Sequence, residues 1–392
     1  MNGYQDGVPG YLTIRVTPQD GPIAAFADQE AWAARQRYPH LHGVGVAEYF
    51  WARERDLGGW ELSEHSGSWP QQARDMLGSH FRLRAKAARD AGDLSAARSW
   101  QRAAERMDRA VVDDIAVCGE RFKVVRVSHF IRSGDSGPEP PRPSDPDPGE
   151  VGESHQVPSR TKGFVVDPYI GTGLSDGILK LDLVRFVPVL EGAPEEINED
   201  ARRAVRAYPG GVLLPAAYLV SVRRDGGWEY HQPGSTHATP QGARDALAVW
   251  LRVAAPVTLR LSEELTEVYA AAADRLDEKR SNTLSVDGHR FRVTRVERLA
   301  RIGPDGPEGP RPSDFDPEEP VDVQSERLRR EGVIDEEGND LRPLPRPSEQ
   351  PAPPGPNLRD LWEKEKERVR RLQERRAREA GTPGPEPDTP AG

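Results

Sequence analysis

A twelve-residue proline-rich segment occurs twice in this chain, and no other part of the sequence constrains the fold as tightly. GPEPPRPSDPDP occupies residues 137–148 and GPEGPRPSDFDP residues 306–317, with ten positions identical. The likeness continues upstream at nearly constant spacing. ERFKVVRV at residues 120–127 returns 169 residues later as HRFRVTRV at 289–296. Pro70, Gln71, Ala73, Arg74 and Asp75 return as Pro240, Gln241, Ala243, Arg244 and Asp245, and Tyr38 with Pro39 as Tyr208 with Pro209. A period of this length is the size of a domain, so the chain reads as a tandem duplication of one unit, not as a solenoid of short repeats.

Local patterns give the elements of each unit. Residues 11–16 alternate as a strand does. A helix then opens at Gly21 and Pro22, with Ile23, Ala27, Ala31, Ala34 and Tyr38 on one apolar face and Pro39 as its stop. Ile197, Ala201, Ala204 and Tyr208 repeat the stripe. Residues 44–54 and 60–63 read as a hairpin, and 212–223 and 228–231 as its copy, turning at Asp225 and Gly226. Two helices follow in each unit. The first has proline in its opening turn, with Thr239 a good N-cap in one copy and Trp69 a poor one in the other. Pro256 should break the helix in the second unit. A second hairpin turns at Cys118 and Gly119, or at Asp287 and Gly288. Its return strand starts with Phe122 and Val124 on one face but continues with Val125 and Val127 on the other. A bulge, or burial of both faces, would account for this.

Each unit is therefore expected to run β-α-β-β-α-α-β-β. The fold class is α+β: an antiparallel sheet with helices on one face, with a ferredoxin-like order as one arrangement of the same elements. Residues 1–148 form the first unit, 149–175 a linker, and 176–317 the second unit. Residues 318–356 read as an acidic, proline-rich disordered segment, 357–380 as a charged helix and 381–392 as a disordered tail. The helix has only a thin apolar edge, at Leu358, Leu361, Trp362, Val369 and Leu372, and reads as a solvated single helix.

Charge narrows the functional classes. The formal net charge is -10, and residues 303–356 carry most of it, so the body before them gives no general reason to bind nucleic acid or an anionic membrane. The most apolar run, residues 212–222, is too short to span a bilayer and contains Pro215. One cysteine, Cys118, excludes an intrachain disulfide framework. With a start that lacks a basic and apolar leader, these features suggest a cytoplasmic protein.

The candidate binding residues are the polar ones that recur in both units. They are Arg121, Arg126, Arg132, Arg142 and Asp145, with their counterparts Arg290, Arg295, Arg301, Arg311 and Asp314. The proline segments should be extended. They can be arms strapped across their own or the neighbouring unit, with Arg142 and Asp145 in ion pairs. They can be polyproline ligands for another protein. Asp145 with Asp147, and Asp314 with Asp316, can also be read as metal ligands, although no further donor follows at useful spacing. His40, His42, His231 and His237 form no set at zinc spacing. No GxSxG, P-loop or HExxH motif is present, so no catalytic residue, metal or cofactor is assigned.

The segment RFRVTRVERLARIGPDGPEGPRPSDFDP, with MNGYQDGVPGYLTIRV and GVGVAEYFWARE, resembles an actinobacterial family of Streptomyces type known as domain of unknown function 5954. The likeness covers residues 1–330. It implies a Gram-positive cytoplasmic protein and transfers no activity, cofactor or catalytic residue. Three readings of function stand. The first is a non-enzymatic binding or scaffold protein, meeting a protein partner through its proline-rich arms or its charged C-terminal helix. The second is an enzyme or small-ligand and anion-binding protein with its site in the groove between the units. The third is nucleic-acid binding.

Overall fold

In the computed structural model, residues 9–17, 21–188, 192–231, 235–342 and 357–381 are described. The hairpin turns fix the frame. Cys118 and Gly119, Asp225 and Gly226, and Asp287 and Gly288 all take positive φ, as tight two-residue connections require. The first half contains α1 (Pro22–Arg37), β1 (His40–Glu54), β2 (Trp60–Leu62), α2 (Pro70–Asp90), α3 (Leu94–Arg109), β3 (Asp114–Val117), β4 (Glu120–Gly134) and β5 (Gly137–Pro138). A two-residue strand, β6 (Val165–Val166), and α4 (Leu174–Arg185) come next. The second half contains α5 (Glu195–Ala207), β7 (Gly210–Arg224), β8 (Gly227–Tyr230), α6 (Pro240–Val249), α7 (Ala255–Thr258), α8 (Glu263–Lys279), β9 (Thr283–Val286), β10 (His289–Gly303) and β11 (Gly306–Pro307). Two further helices are α9 (Val321–Arg330) and α10 (Leu358–Gly381).

All eleven strands belong to one curled sheet, in the path β6-β2-β1-β4-β10-β7-β8. The halves join where β4 and β10 cross antiparallel, with Val127 opposite Ala300, His129 opposite Arg298 and Phe130 opposite Glu297. The parity change at Phe122 resolves as burial of both faces. Phe122 and Val124 pack against α2 and α3. Val125 and Val127 pack with Phe50 and, from the second half, Leu214, Ala300 and Ile302. The converse cluster sets Val44 and Ile131 on Ala217, Leu219 and Val296. Each half thus closes the inner face of the other, while helices cover the outer face.

Several expectations are corrected. Residues 11–16 are not a strand: Gly10–Leu12 is a 3₁₀ turn closed on the Pro9 carbonyl, and Val16 makes one bridge to Thr172. No strand opens the second half among the described residues, and α4 stands in that place. Each half therefore lacks the expected first strand. The ferredoxin-like order fails as well, because that fold needs parallel neighbours and every pairing between named strands here is antiparallel. The apolar stripe of α1 is largely outside the core: Ile23 is 81 % exposed, and of the stripe only Ala34 and Tyr38 are buried.

Residues 149–175 include β6, which pairs with β2 and extends the sheet. Pro256 does not end its helix. The chain widens into a π turn over Trp250–Ala254 and continues into α7, which accommodates a residue without an N–H. The acidic segment expected to lack order holds α9, tied to α3 through Asp322 and Arg109 at 3.0 Å. α10 is not solvated all round. Glu365 is buried, Arg368 pairs with Asp277 at 3.1 Å, and Val369 lies beside Gly152. The sequence pattern missed this docking because charged side chains, with Val369 beside them, make the contact instead of a continuous apolar stripe. Residues 343–356 and 382–392, also expected to be disordered, lie outside the described residues.

Candidate functional site

The proline arms lie across opposite halves. Gly137 takes φ 104° and approaches the Trp228 indole; Gly306 takes φ 99° and approaches Trp60. Each arm then continues the sheet. Glu139 N donates to the Arg132 carbonyl and Glu139 O accepts from Arg295 N at 2.8 Å; Glu308 does the same with Arg301 and Arg126. Proline dictates this extended path, and the few free N–H groups in the arm carry the pairing.

Side chains complete the docking. Arg295 Nε reaches both Asp145 oxygens at 3.1–3.2 Å, and Arg126 Nε both Asp314 oxygens at 3.0 Å. Burial alone would lower the pKa of Arg126, but Asp314 and Glu308 outweigh it and the group is held above its ordinary value. Arg142 turns back on Glu139 at 2.7 Å, and Arg311 on Glu308 at 2.6 Å. At the far end of the first arm, Asp147 accepts from Gln241 N at 2.8 Å and pairs with Arg244. Asp316 accepts from Gln71 N at 2.9 Å and pairs with Arg74. Both aspartates sit at a helix N-terminus, where unpaired N–H groups attract a carboxylate. The poor cap Trp69 thus has its function taken over by an aspartate from the other half. Asp145 and Asp147 face different arginines, which runs against their use as a shared metal pair. The inter-half ion pairs agree with the strap reading, in its neighbouring-unit form.

The remaining candidates separate. Arg121 pairs with Asp114 and Asp305 at the surface. Its counterpart Arg290 is exposed and makes no ion pair with a described residue, since Thr283 and Ser136 stand where Asp114 and Asp305 would be. Arg301 is buried and donates to the carbonyls of Leu183, Val184 and Phe186 at the end of α4. Burial pushes its pKa down to about 10. Arg132 is buried too, but among the described residues its side chain pairs only with Asp182, at 3.4 Å. The ten residues therefore do not converge on one pocket. Six of them (Arg126, Arg142 and Asp145, with Arg295, Arg311 and Asp314) hold the arms.

A different constellation lies where β4 crosses β10. Glu48 on β1 accepts from Ser66 Oγ at 2.5 Å and from Arg298 Nη2 at 2.6 Å, and His129 Nε2 is 3.2 Å from the same carboxylate. Desolvation works to raise the Glu48 pKa, but Arg298 first, then His129 and Ser66, bring it down to about 2. Glu48, Ser66 and Arg298 form one wall of a cavity of about 230 Å³ between the halves, completed by His65, Arg160 and His237. Burial lowers the pKa of His237 against the pull of Asp245. Arg298 Nε is buried and has no hydrogen bond with a described residue. Arg160 is half-buried and forms no ion pair or hydrogen bond with a described residue. The repeat held a usable signal for this site. Arg298 and His129 are 169 apart on otherwise similar strands, as are Glu48 and Ala217, so the cavity is built at positions where the two similar segments differ.

No helix among the described residues is long and apolar enough to cross a membrane. No curated protein and no solved structure matches the chain. A family model does match, over residues 21–317, from the start of α1 to the end of the second arm. The chain belongs to the family of unknown function DUF5954.

Proposed function

We propose that this is a non-enzymatic binding protein, descended from a tandem duplication, that takes a small polar ligand in the cavity between its halves. The observation that carries this reading is a polar cavity in which Arg298 is held by Glu48 while the half-buried Arg160 forms no ion pair or hydrogen bond with a described residue. An anionic or acceptor-bearing ligand would give Arg160 a charge-assisted hydrogen bond there. Shared spacing and matching arms support the duplication; the arginine-rich, lysine-poor composition and single cysteine support an actinobacterial, cytoplasmic protein.

A protein partner remains part of the proposal, at the second of its two expected places. The arms are engaged in internal contacts, so the partner would meet the outer face of α10, where Arg370, Arg371 and Arg375 are exposed. For the cavity, the test is a panel of small polar compounds screened by ligand-observed NMR. Thr236→Phe should fill the cavity and abolish binding while the melting temperature holds. Binders that ignore the substitution, or a panel without any binder, defeat the proposal.

A further inference from the structure

The same arginine of each half meets two different fates. Arg132 and Arg301 are 3 % and 1 % exposed, and both stand near the end of a long central strand. Arg301 is held by three carbonyls of α4 and its following loop. Arg132 has one contact of 3.4 Å, to a carboxylate that Arg35 also shares at 3.2 Å. A buried guanidinium has five N–H donors in a fixed fork, and most of those of Arg132 have no acceptor among the described residues.

Arg132 opens onto a cleft of about 800 Å³ between α1, the start of β1 and α4. Arg35 and Arg185 line the same cleft. Arg185 is exposed and makes no ion pair with a described residue. Asp182 is the one carboxylate among the lining residues, so three guanidinium groups share a single negative charge. Leu41, Ile178 and Phe186 supply an apolar wall. Guanidinium forks match the oxygens of phosphate, and a pocket with one apolar wall and a few converging charges suits an organic ligand.

We infer that this cleft binds an organic phosphate, with a doubly charged phosphoryl group among Arg35, Arg132 and Arg185 and the apolar body against Leu41 and Phe186. The site is separate from the central cavity and does not depend on it. The excess of two positive charges equals the charge of a phosphate monoester near neutral pH.

Calorimetric titration of the full chain with phenyl phosphate tests this, with phenol and inorganic phosphate as comparison probes. Phenyl phosphate should bind, inorganic phosphate more weakly, and phenol not at all. Arg185→Gln leaves the fold intact, since the side chain is exposed, and should weaken binding roughly tenfold, the loss of one charge-assisted hydrogen bond. Asp182→Asn should tighten it several-fold, an effect opposite to that of a merely structural residue. Absence of phenyl phosphate binding, equal binding of phenol, or an Arg185→Gln protein that binds as well as the wild type overturns the inference.

Discussion

The two arm-docking sites use the same backbone and different charges. In each, a glycine meets a tryptophan, a glutamate continues the sheet, and an aspartate ends on a helix N-terminus of the opposite half. Each arm is also held near its middle by its own half, Ser144 N on Glu30 and Ser313 N on Asp200, at 2.8 and 2.9 Å. The charge around the central arginine is not the same. Arg295 has Glu297 beside it, bonded also by Arg142, whereas Arg126 has Ser128. The shared parts are those that set geometry, and the charge count is free to vary around them. Crossing the arms also makes each half incomplete alone, since α2 and α6 take an acidic group at their N-termini from the other half.

The largest effect should come from breaking this comparison at its centre. Arg295→Met leaves Asp145 buried without its cation and Glu297 with Arg142 alone, whereas Arg126→Met strips the cation from Asp314 only. Removing one member of a buried pair costs about 3–5 kcal/mol. Both variants should fall in that range by urea unfolding, with Arg295→Met the lower in midpoint. Losses under about 1 kcal/mol would mean the arms lie loosely on the surface. Equal losses would mean Glu297 adds nothing to the first site.

The legibility of this fold follows from the same logic. Turn chemistry placed the hairpins well, because Asp287 and Gly288 can hardly be anything but a tight turn. Thr239 capped α6 as its side chain requires, accepting from Gly242 N at 3.1 Å. The first strand was lost because alternation in residues 11–16 says nothing about whether a free sheet edge exists to receive it. The exchange of the arms was equally out of reach. The sequence of Arg142 and Asp145 specifies an ion-pairing strap but not the half it crosses. Glu48 and Arg298 carry no recurrence signal, because Ala217 and His129 stand at the matching positions.

Acid should sharpen the contrast at the centre of the sheet, where Glu48 faces its counterpart Ala217. The pKa of Glu48 is lowered from 4.5 to about 2 in the folded chain, so the unfolded chain takes up its proton first as pH falls. Its contribution is complete above about pH 4.5 and drains away as pH falls towards 2. A depression of this size corresponds to roughly 3 kcal/mol, as an order of magnitude. Glu48→Gln should remove that part of the acid limb, leaving stability less dependent on pH between 4.5 and 2. Denaturant titrations across that range decide it. An unchanged slope would mean that Arg298 and His129 do not hold the carboxylate ionised.

The smallest effect should separate Arg121 from Arg290. Arg121 sits between Asp114 and Asp305, with all three side chains at least about a third exposed, and lies 5.6 Å from the Trp60 ring. Its hydrogen bonds to Asp114 and Asp305 hold its pKa above the ordinary value. Solvent screens such a pair, and exposed ion pairs contribute about 0.2–1 kcal/mol. Arg121→Ala should cost that much in low salt and less in about 0.5 M salt, roughly where the screening length falls below 5 Å. Arg290→Ala should change nothing at either salt, because Thr283 and Ser136 give it no carboxylate to lose. If the two variants behave alike, the surface pair at Arg121 contributes no stability, and the halves differ only in their buried charges.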